Sequence, residues 1–307
     1  MAKNKSKSFY WILLFIVILV WGFDPLVYKI FYRDYSASVV AAIATFSSFI
    51  FFTCISFKNF KKINIEFFKI YLPIGFLNGI AGLLQRIGLQ YTTPANYAFL
   101  EHLAVAVVPI VMFIIIKKKP SMVQIISVVL CVVGCFILSG VTIGGFKGNI
   151  GDILCALSGI VYGVCIALVG INAKKIDTKL YMVVFSFMYW LASMLSVVLL
   201  HNINVDGKPI EVARFVFDLK LLVIVALFGL LSVGITWLMK TSAIKHLDPT
   251  FVAVVSPFTA VVSGILSVIT KTDTPSVKFI VGGILITIAA ILSGVFDVEN
   301  KKSGEAS

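Results

Sequence analysis

PANYAFLEHLAVAVVPIVMFIIIKKKPS (residues 94–121) and PTFVAVVSPFTAVVSGILSVITKTDTPS (residues 249–276) decide how this chain folds. Each opens on a proline, runs through a long apolar stretch and closes on a second proline followed by serine. Pro94 and Pro120 stand 26 residues apart, as do Pro249 and Pro275, and the two pairs are offset by 155. About 20 apolar residues are what an α-helix needs to cross a hydrocarbon core of roughly 30 Å. The runs are continuous and do not alternate with period two, which argues against the strands of a β-barrel. The segment after each run ends in Leu-Ser-Gly, at 138–140 and 292–294, an offset of 154, so the correspondence extends past the prolines with a shift of one residue.

The rest of the chain reads the same way. Of its 307 residues, 60% are hydrophobic and 13% charged, and the mean hydropathy is +1.04. Soluble domains carry about 25% charged residues, so a soluble enzyme is excluded. Ten spans can be marked, near 10–31, 38–57, 70–90, 94–116, 122–140, 151–171, 180–200, 219–240, 249–270 and 277–296. The fold class is therefore an all-α polytopic membrane protein with ten transmembrane helices. The first span contains Asp24, exceeds the length of a signal-peptide core and lacks a small-residue cleavage site.

Charge sets the orientation. The net charge of +12 comes from 23 Lys and three Arg (Arg33, Arg86 and Arg214), grouped between spans without interleaved aromatics. That distribution points to topogenic lysines and away from nucleic acid. With the N-terminus in the cytoplasm, the inside segments hold 17 bases, Lys240 among them, against eight outside. Both termini are expected inside, and residues 141–149 and 201–219 outside. The five cysteines all lie in apolar segments; Cys131 and Cys135 read as helix packing, and no disulfide framework is implied.

Five spans per repeat is an odd number, so the two halves must have opposite orientation. A fainter echo pairs Trp21-Gly22 with Tyr162-Gly163. Two inverted five-helix repeats are a transporter architecture, with the binding site between them near the midplane. The divisions are a tail at 1–9, repeats at 10–140 and 150–297, and a tail at 298–307, both tails cytoplasmic.

The stretch VWGFDPLVYK (20–29), with Trp21, Gly22 and Lys29, resembles an element of the EamA family of the drug/metabolite transporter superfamily. GNIGDILCALSGIVYG (148–163), with Gly151 and Asp152, resembles that family's sixth-span opening. The resemblance covers residues 10–297. One departure is Lys117 to Lys119 where the family often has an acid after the fourth span; Asp273 takes that place after the ninth. The resemblance implies a central cavity for small metabolites. Since members carry amino acids, drugs, amines and sugar-linked compounds, it does not name the substrate.

Ionisable side chains inside spans are costly and mark function by default. Asp24 and Glu101 each fall about seven residues, roughly 10 Å, from the outer boundary, so both are expected to line one vestibule. Trp21, Asp24 and Tyr28 share a helix face, as do Tyr97 and Glu101. Acids beside aromatic rings suit an organic cation, or proton coupling, with His102 as a relay whose side chain points about 100° from Glu101 on a regular helix. The structural alternative pairs Asp24 or Glu101 with Arg86, or Glu101 with His102. Asn78, Gly82 and Gln85 share a face of the third span, the glycine admitting a neighbour or a ligand. Arg86 either receives a substrate carboxylate or neutralises an acid. Tyr162, Tyr189, Trp190 and Trp237 are cavity aromatics or packing residues. Pro25, Pro109 and Pro257 are expected to kink their helices. Ser256-Pro257 stands where Glu101-His102 stands in the first repeat, which places the ionic chemistry in the first half.

No GxSxG, HExxH or Walker loop occurs, so no catalytic, metal or cofactor site is expected. The reading is a plasma-membrane permease or exporter, bacterial and multi-pass, moving a small polar or cationic metabolite such as an amino acid or amine by alternating access, coupled to protons or by exchange. A drug or nucleotide-sugar-type carrier is the alternative within the superfamily; a membrane enzyme or a channel is the alternative outside it. The expected partners are the substrate and the lipid bilayer, with the chain a monomer or homodimer.

Overall fold

A computed structural model describes residues 7–27, 31, 37–65, 67–92, 94–141, 150–200, 204–205, 208–209, 219–271 and 276–304. Its helices are α1 (Lys7–Val27), α2 (Ala37–Ser56), α3 (Leu72–Tyr91), α4 (Pro94–Glu101), α5 (Ala104–Ile116), α6 (Met122–Ser139) and α7 (Ile150–Ile171). They continue with α8 (Thr178–Leu200), α9 (Leu219–Gly229), α10 (Thr236–Ile244), α11 (Pro249–Val255), α12 (Phe258–Ile269) and α13 (Val277–Gly304). A short 3-10 turn, Phe57–Lys62, follows α2. A π-turn, Phe67–Tyr71, leads into α3, and another, Leu230–Ile235, joins α9 to α10. Grouped this way, the described residues form ten segments long and apolar enough to cross a membrane. Asn204–Val205 pairs antiparallel with Lys208–Pro209.

The repeat seen in the prolines is a repeat of backbone conformation. The fourth span breaks between α4 and α5 at His102-Leu103, and the ninth between α11 and α12 at Ser256-Pro257. The two spans then end on Lys117 (φ 58°) and Lys271 (φ 56°), each in the left-handed region. Ser121 caps α6 in a reciprocal capping box with Gln124, the two bonds measuring 3.0 and 3.1 Å. Its counterpart Ser276 accepts from the Phe279 amide at 3.1 Å. Of the three prolines expected to kink helices, only Pro257 coincides with a break. α1 runs through position 25 and α5 through Pro109, while the break at residues 102–103 forms without a proline.

Glycines let the halves cross. A Cβ on Gly22 would stand 2.5 Å from Val262, and one on Gly163 would stand 2.6 Å from Val107. Val107 and Val262 are themselves offset by 155, so the first span meets the ninth as the sixth meets the fourth. Between the fifth and tenth spans, Gly134 and Gly282 pack against each other's helices in the same way. Large apolar side chains such as Val198, Leu227 and Ile291 remain exposed along the outer faces, as lipid-facing positions require.

Lys240 departs from its expected place. It was counted with the inside loop after the eighth span, but that span runs over Leu222–Ile244 and Lys240 is 6% exposed. The apolar run resumes past it through Ala243 and Ile244. Removing Lys240 leaves sixteen inside bases against eight, and the bias keeps its sign.

Candidate functional site

A cavity of about 410 Å³ lies where the two repeats meet. The broken spans line it in register. Ala98, Glu101 and Ala104 from the fourth span face it, and so do Ala253, Ser256 and Thr259 from the ninth, each pair offset by 155. Trp21 and Tyr162, the aromatic members of the fainter echo, also line it.

The first half carries the acids, and the second half brings a lysine, Lys240, to the same lining. Gln85 donates through Nε2 to Glu101 Oε1 at 2.9 Å and to the Tyr97 hydroxyl at 2.6 Å, and the Tyr162 hydroxyl donates to Gln85 Oε1 at 3.3 Å. Both functions of the amide are thus used to hold Glu101 and two phenols around one point. His102 lies where the α-helical bonding gives way to i→i−3 bonds, its amide donating to the Phe99 carbonyl at 3.1 Å and that of Leu103 to Leu100 at 3.2 Å, and both Glu101 and His102 line the cavity.

Asp24 is held from the eighth span. Ser232 donates to its Oδ2 at 2.6 Å, while Oδ1 is buried and has no hydrogen-bond partner. Trp21 is fixed on the same surface, its Nε1 donating to the Ser232 carbonyl at 2.9 Å and to the Thr236 hydroxyl at 3.0 Å. Ser232 belongs to the π-turn, and π-turns inside helices often accompany functional sites.

Lys240 completes the lining. Its Nζ stands 4.7 Å from the centroid of the Trp21 ring and 5.0 Å from that of Trp237, with the Glu101 charge near enough to attract it. Trp237 stacks in turn near Tyr162, with ring centroids 6.2 Å apart, and near Tyr189 at 6.3 Å. A buried ammonium is tolerable only where other groups replace its water. Here two indole faces do so in part.

The remaining expected residues fall elsewhere. Asn78 is 2% exposed and donates to the Tyr181 hydroxyl at 3.1 Å and the Ile74 carbonyl at 2.9 Å, outside the cavity lining. Gly82 admits a neighbour, since its Cβ would meet the Tyr189 ring at 2.9 Å. Arg86 lies 5.2 Å from the centroid of that ring and is not in the lining; Asp24 is bonded to Ser232. Tyr189 and Trp237 line the cavity, while Trp190 packs on Phe46 and Phe49. Tyr28 lies outside the described residues. Sequence reasoning missed Lys240, Ser232, Ser256 and Thr259 as lining residues. For Lys240 the signal was present: it follows Trp237 by three positions and apolar residues resume after it.

Comparison with known proteins bears on this arrangement. The profile described as "EamA-like transporter family" matches residues 8–140 and again residues 149–295. An "uncharacterized transporter" of Archaeoglobus fulgidus is 30% identical over 154 residues, 50% of this chain and 46% of that protein, so the chain spans about half the length of this curated relative. A protein crystal structure is similar at a TM-score of 0.72 and 17% identity, covering 96% of this chain and 99% of its own. At that identity the likeness concerns the fold.

Proposed function

The chain belongs to the EamA-like transporter family, and on that premise we propose that it carries a small ammonium-bearing metabolite, an amino acid or an amine, across the plasma membrane of a bacterium. Both termini face the cytoplasm in this reading, as the excess of inside bases favours. The observation that carries it is one cavity, between the repeats, holding two span carboxylates among five aromatic rings, Trp21, Tyr97, Tyr162, Tyr189 and Trp237. Carboxylates supply charge for an ammonium, and Tyr97, Tyr162 and Tyr189 supply ring surface beside them. The volume lies toward the small end of ligand pockets, about 300–1,000 Å³, which favours a metabolite over a nucleotide-sugar.

The breaks at residues 102–103 and 256–257 support a reading of transport by alternating access. They interrupt repeat-related spans at the cavity, where a rocking of one repeat on the other would bend them. Glu101 and Asp24 bind the substrate ammonium, or a proton when it is absent, and Gln85 and Ser232 hold them in position.

The test is uptake of radiolabelled amino acids and amines into liposomes containing the purified protein, alongside Glu101→Gln and Asp24→Asn. Uptake by the wild type, lost in the variants at unchanged melting temperature, is the expected result. Variants that melt normally and transport at the wild-type rate overturn the assignment of that acid.

A further inference from the structure

The aromatic faces that would receive a bare organic cation are already occupied. Lys240 Nζ lies over Trp21 and Trp237, and Trp21 is locked by its two hydrogen bonds to the eighth span. An amine entering this cavity meets a filled cage and a like charge. Yet the ammonium of Lys240 donates no hydrogen bond among the described residues, although it has three hydrogens to give. In the same lining, Asp24 Oδ1 is buried and accepts none. The cavity therefore presents one unused cationic donor set, with the Glu101 carboxylate in the same lining. Buried polar groups are ordinarily satisfied, and a ligand carrying both a carboxylate and an ammonium has a partner for each.

We propose that Lys240 is the specificity-determining residue of this cavity: it binds the carboxylate of a zwitterionic substrate and, by filling the Trp21–Trp237 cage, excludes the corresponding bare amine. The proposal rests on the transport reading above and adds a selection rule to it. Binding at Lys240 asks little rearrangement, since a carboxylate approaching the ammonium from the cavity side leaves the indole faces in place. The substrate ammonium then falls to the Glu101 carboxylate, which lines the same cavity. Rejection of an analogue lacking a group that the site is built to bind is the strong form of discrimination, because the abandoned partner stays buried and unpaired.

The experiment is a binding measurement on the purified full-length protein in detergent, by calorimetry and by ligand-induced thermal shift. The probes are pairs differing only in the carboxylate: L-phenylalanine and 2-phenylethylamine, L-leucine and 3-methylbutylamine, L-lysine and cadaverine. Wild type is expected to prefer the amino acid of at least one pair by about tenfold or more. Lys240→Met is expected to weaken that amino acid by about tenfold and to strengthen the amine, since the cage is then vacant. Lys240→Gln, of similar shape and uncharged, is measured alongside, and ligand-free melting shows that each variant is folded. The inference is overturned if the wild type binds both members of every pair alike, or if the folded variants keep the wild-type preference. Should amines bind the wild type in a manner abolished by Glu101→Gln and indifferent to Lys240, the cavity reading stands and the selection rule alone falls. Should none of the probes bind the wild type, both fall.

Discussion

The fourth and ninth spans break at the same repeat position, face the same cavity with the same three registers, and carry different chemistry there. In the fourth span the lining is Ala98, Glu101 and Ala104, with Tyr97 and His102 beside them; in the ninth it is Ala253, Ser256 and Thr259. The Ser256 hydroxyl is spent on the Val252 carbonyl at 2.7 Å, within its own helix, whereas Glu101 is held by a side chain from another span. Backbone symmetry and chemical symmetry have thus separated. In the transport reading proposed above, the repeat supplies two matching breaks, and the groups that would bind substrate are left free to differ because only one set is needed.

The largest effect is expected from moving the acid across this pseudo-twofold. Glu101→Ser makes the first break resemble the second and should lower transport on the order of 100-fold, about 2.7 kcal/mol of lost transition-state or binding stabilisation. Adding Ser256→Glu should not restore it, since Gln85, itself bonded to Tyr97 and Tyr162, donates to the side chain at position 101. Uptake assays on the single and double variants check this, and recovery in the double variant would show the two breaks to be chemically interchangeable.

A second comparison concerns the two glycine crossings, where symmetry should hold. Valine at Gly22 or at Gly163 puts side-chain atoms into space that Val262 or Val107 already occupies. Overpacking of this kind costs about 1–3 kcal/mol, and equivalent contacts should lose equivalent amounts. Melting temperatures of Gly22→Val and Gly163→Val, each in the same detergent, are expected to fall together. A fall confined to one of them would mean that the halves pack differently despite their register.

How much of this was legible in the sequence follows from which physical signal each feature leaves. Spans show because their apolar length is dictated by the bilayer, and the inverted repeat shows because proline, serine and glycine mark helix ends wherever they fall. Trp21, Asp24, Gln85, Tyr97 and Glu101 could be nominated because polar groups in an apolar run are conspicuous, and helical spacing grouped most of them. Position alone does not distinguish Lys240: a lysine near a span end reads as topogenic, and only the indoles of Trp21 and Trp237 against its ammonium mark it otherwise. The place of Asn78 outside the cavity lining is illegible for the opposite reason, since nothing in its own helix says that Tyr181, 103 residues on, accepts from its amide. The break at residues 102–103 leaves no proline, so the joint presence of Glu101 and His102 in one lining could not be read from periodicity.

Hydroxyls sharpen the asymmetry at lower energy. Ser232→Ala strips Asp24 Oδ2 of its donor while Oδ1 already has none. Leaving a buried carboxylate without partners costs about 1–3 kcal/mol. Ser256→Ala abandons no acceptor, because the Val252 carbonyl still receives the Ser256 amide at 3.2 Å, and its effect should stay within about 0.5 kcal/mol. Chemical denaturation of the two variants is expected to separate them in that order; equal losses would place the second half's hydroxyl on the same footing as the first half's acid clamp.

The smallest effect tests how the two broken spans begin. At one end of the molecule, Asp152 of the second repeat is buried and accepts from Thr92 and Asn96, which flank the start of α4. At the start of α11, Asp248 accepts from the Thr250 amide at 2.8 Å, from Gln124 at 3.3 Å and from Lys118 at 2.5 Å. Each acid ties the repeats together, but Lys118 is 44% exposed. A surface ion pair of this sort contributes about 0.2–1 kcal/mol and is screened by salt. Lys118→Met removes only the exposed partner and leaves Asp248 with its backbone and amide donors, so the helix cap survives. Its melting temperature should therefore lie slightly below wild type in low salt and meet it in about 1 M salt, where the Debye length is near 3 Å. A deficit above about 2 kcal/mol, or one that persists in high salt, would mean that the bridge at Asp248 holds the repeats together as firmly as the buried cluster at Asp152 and is no mere trim on a cap.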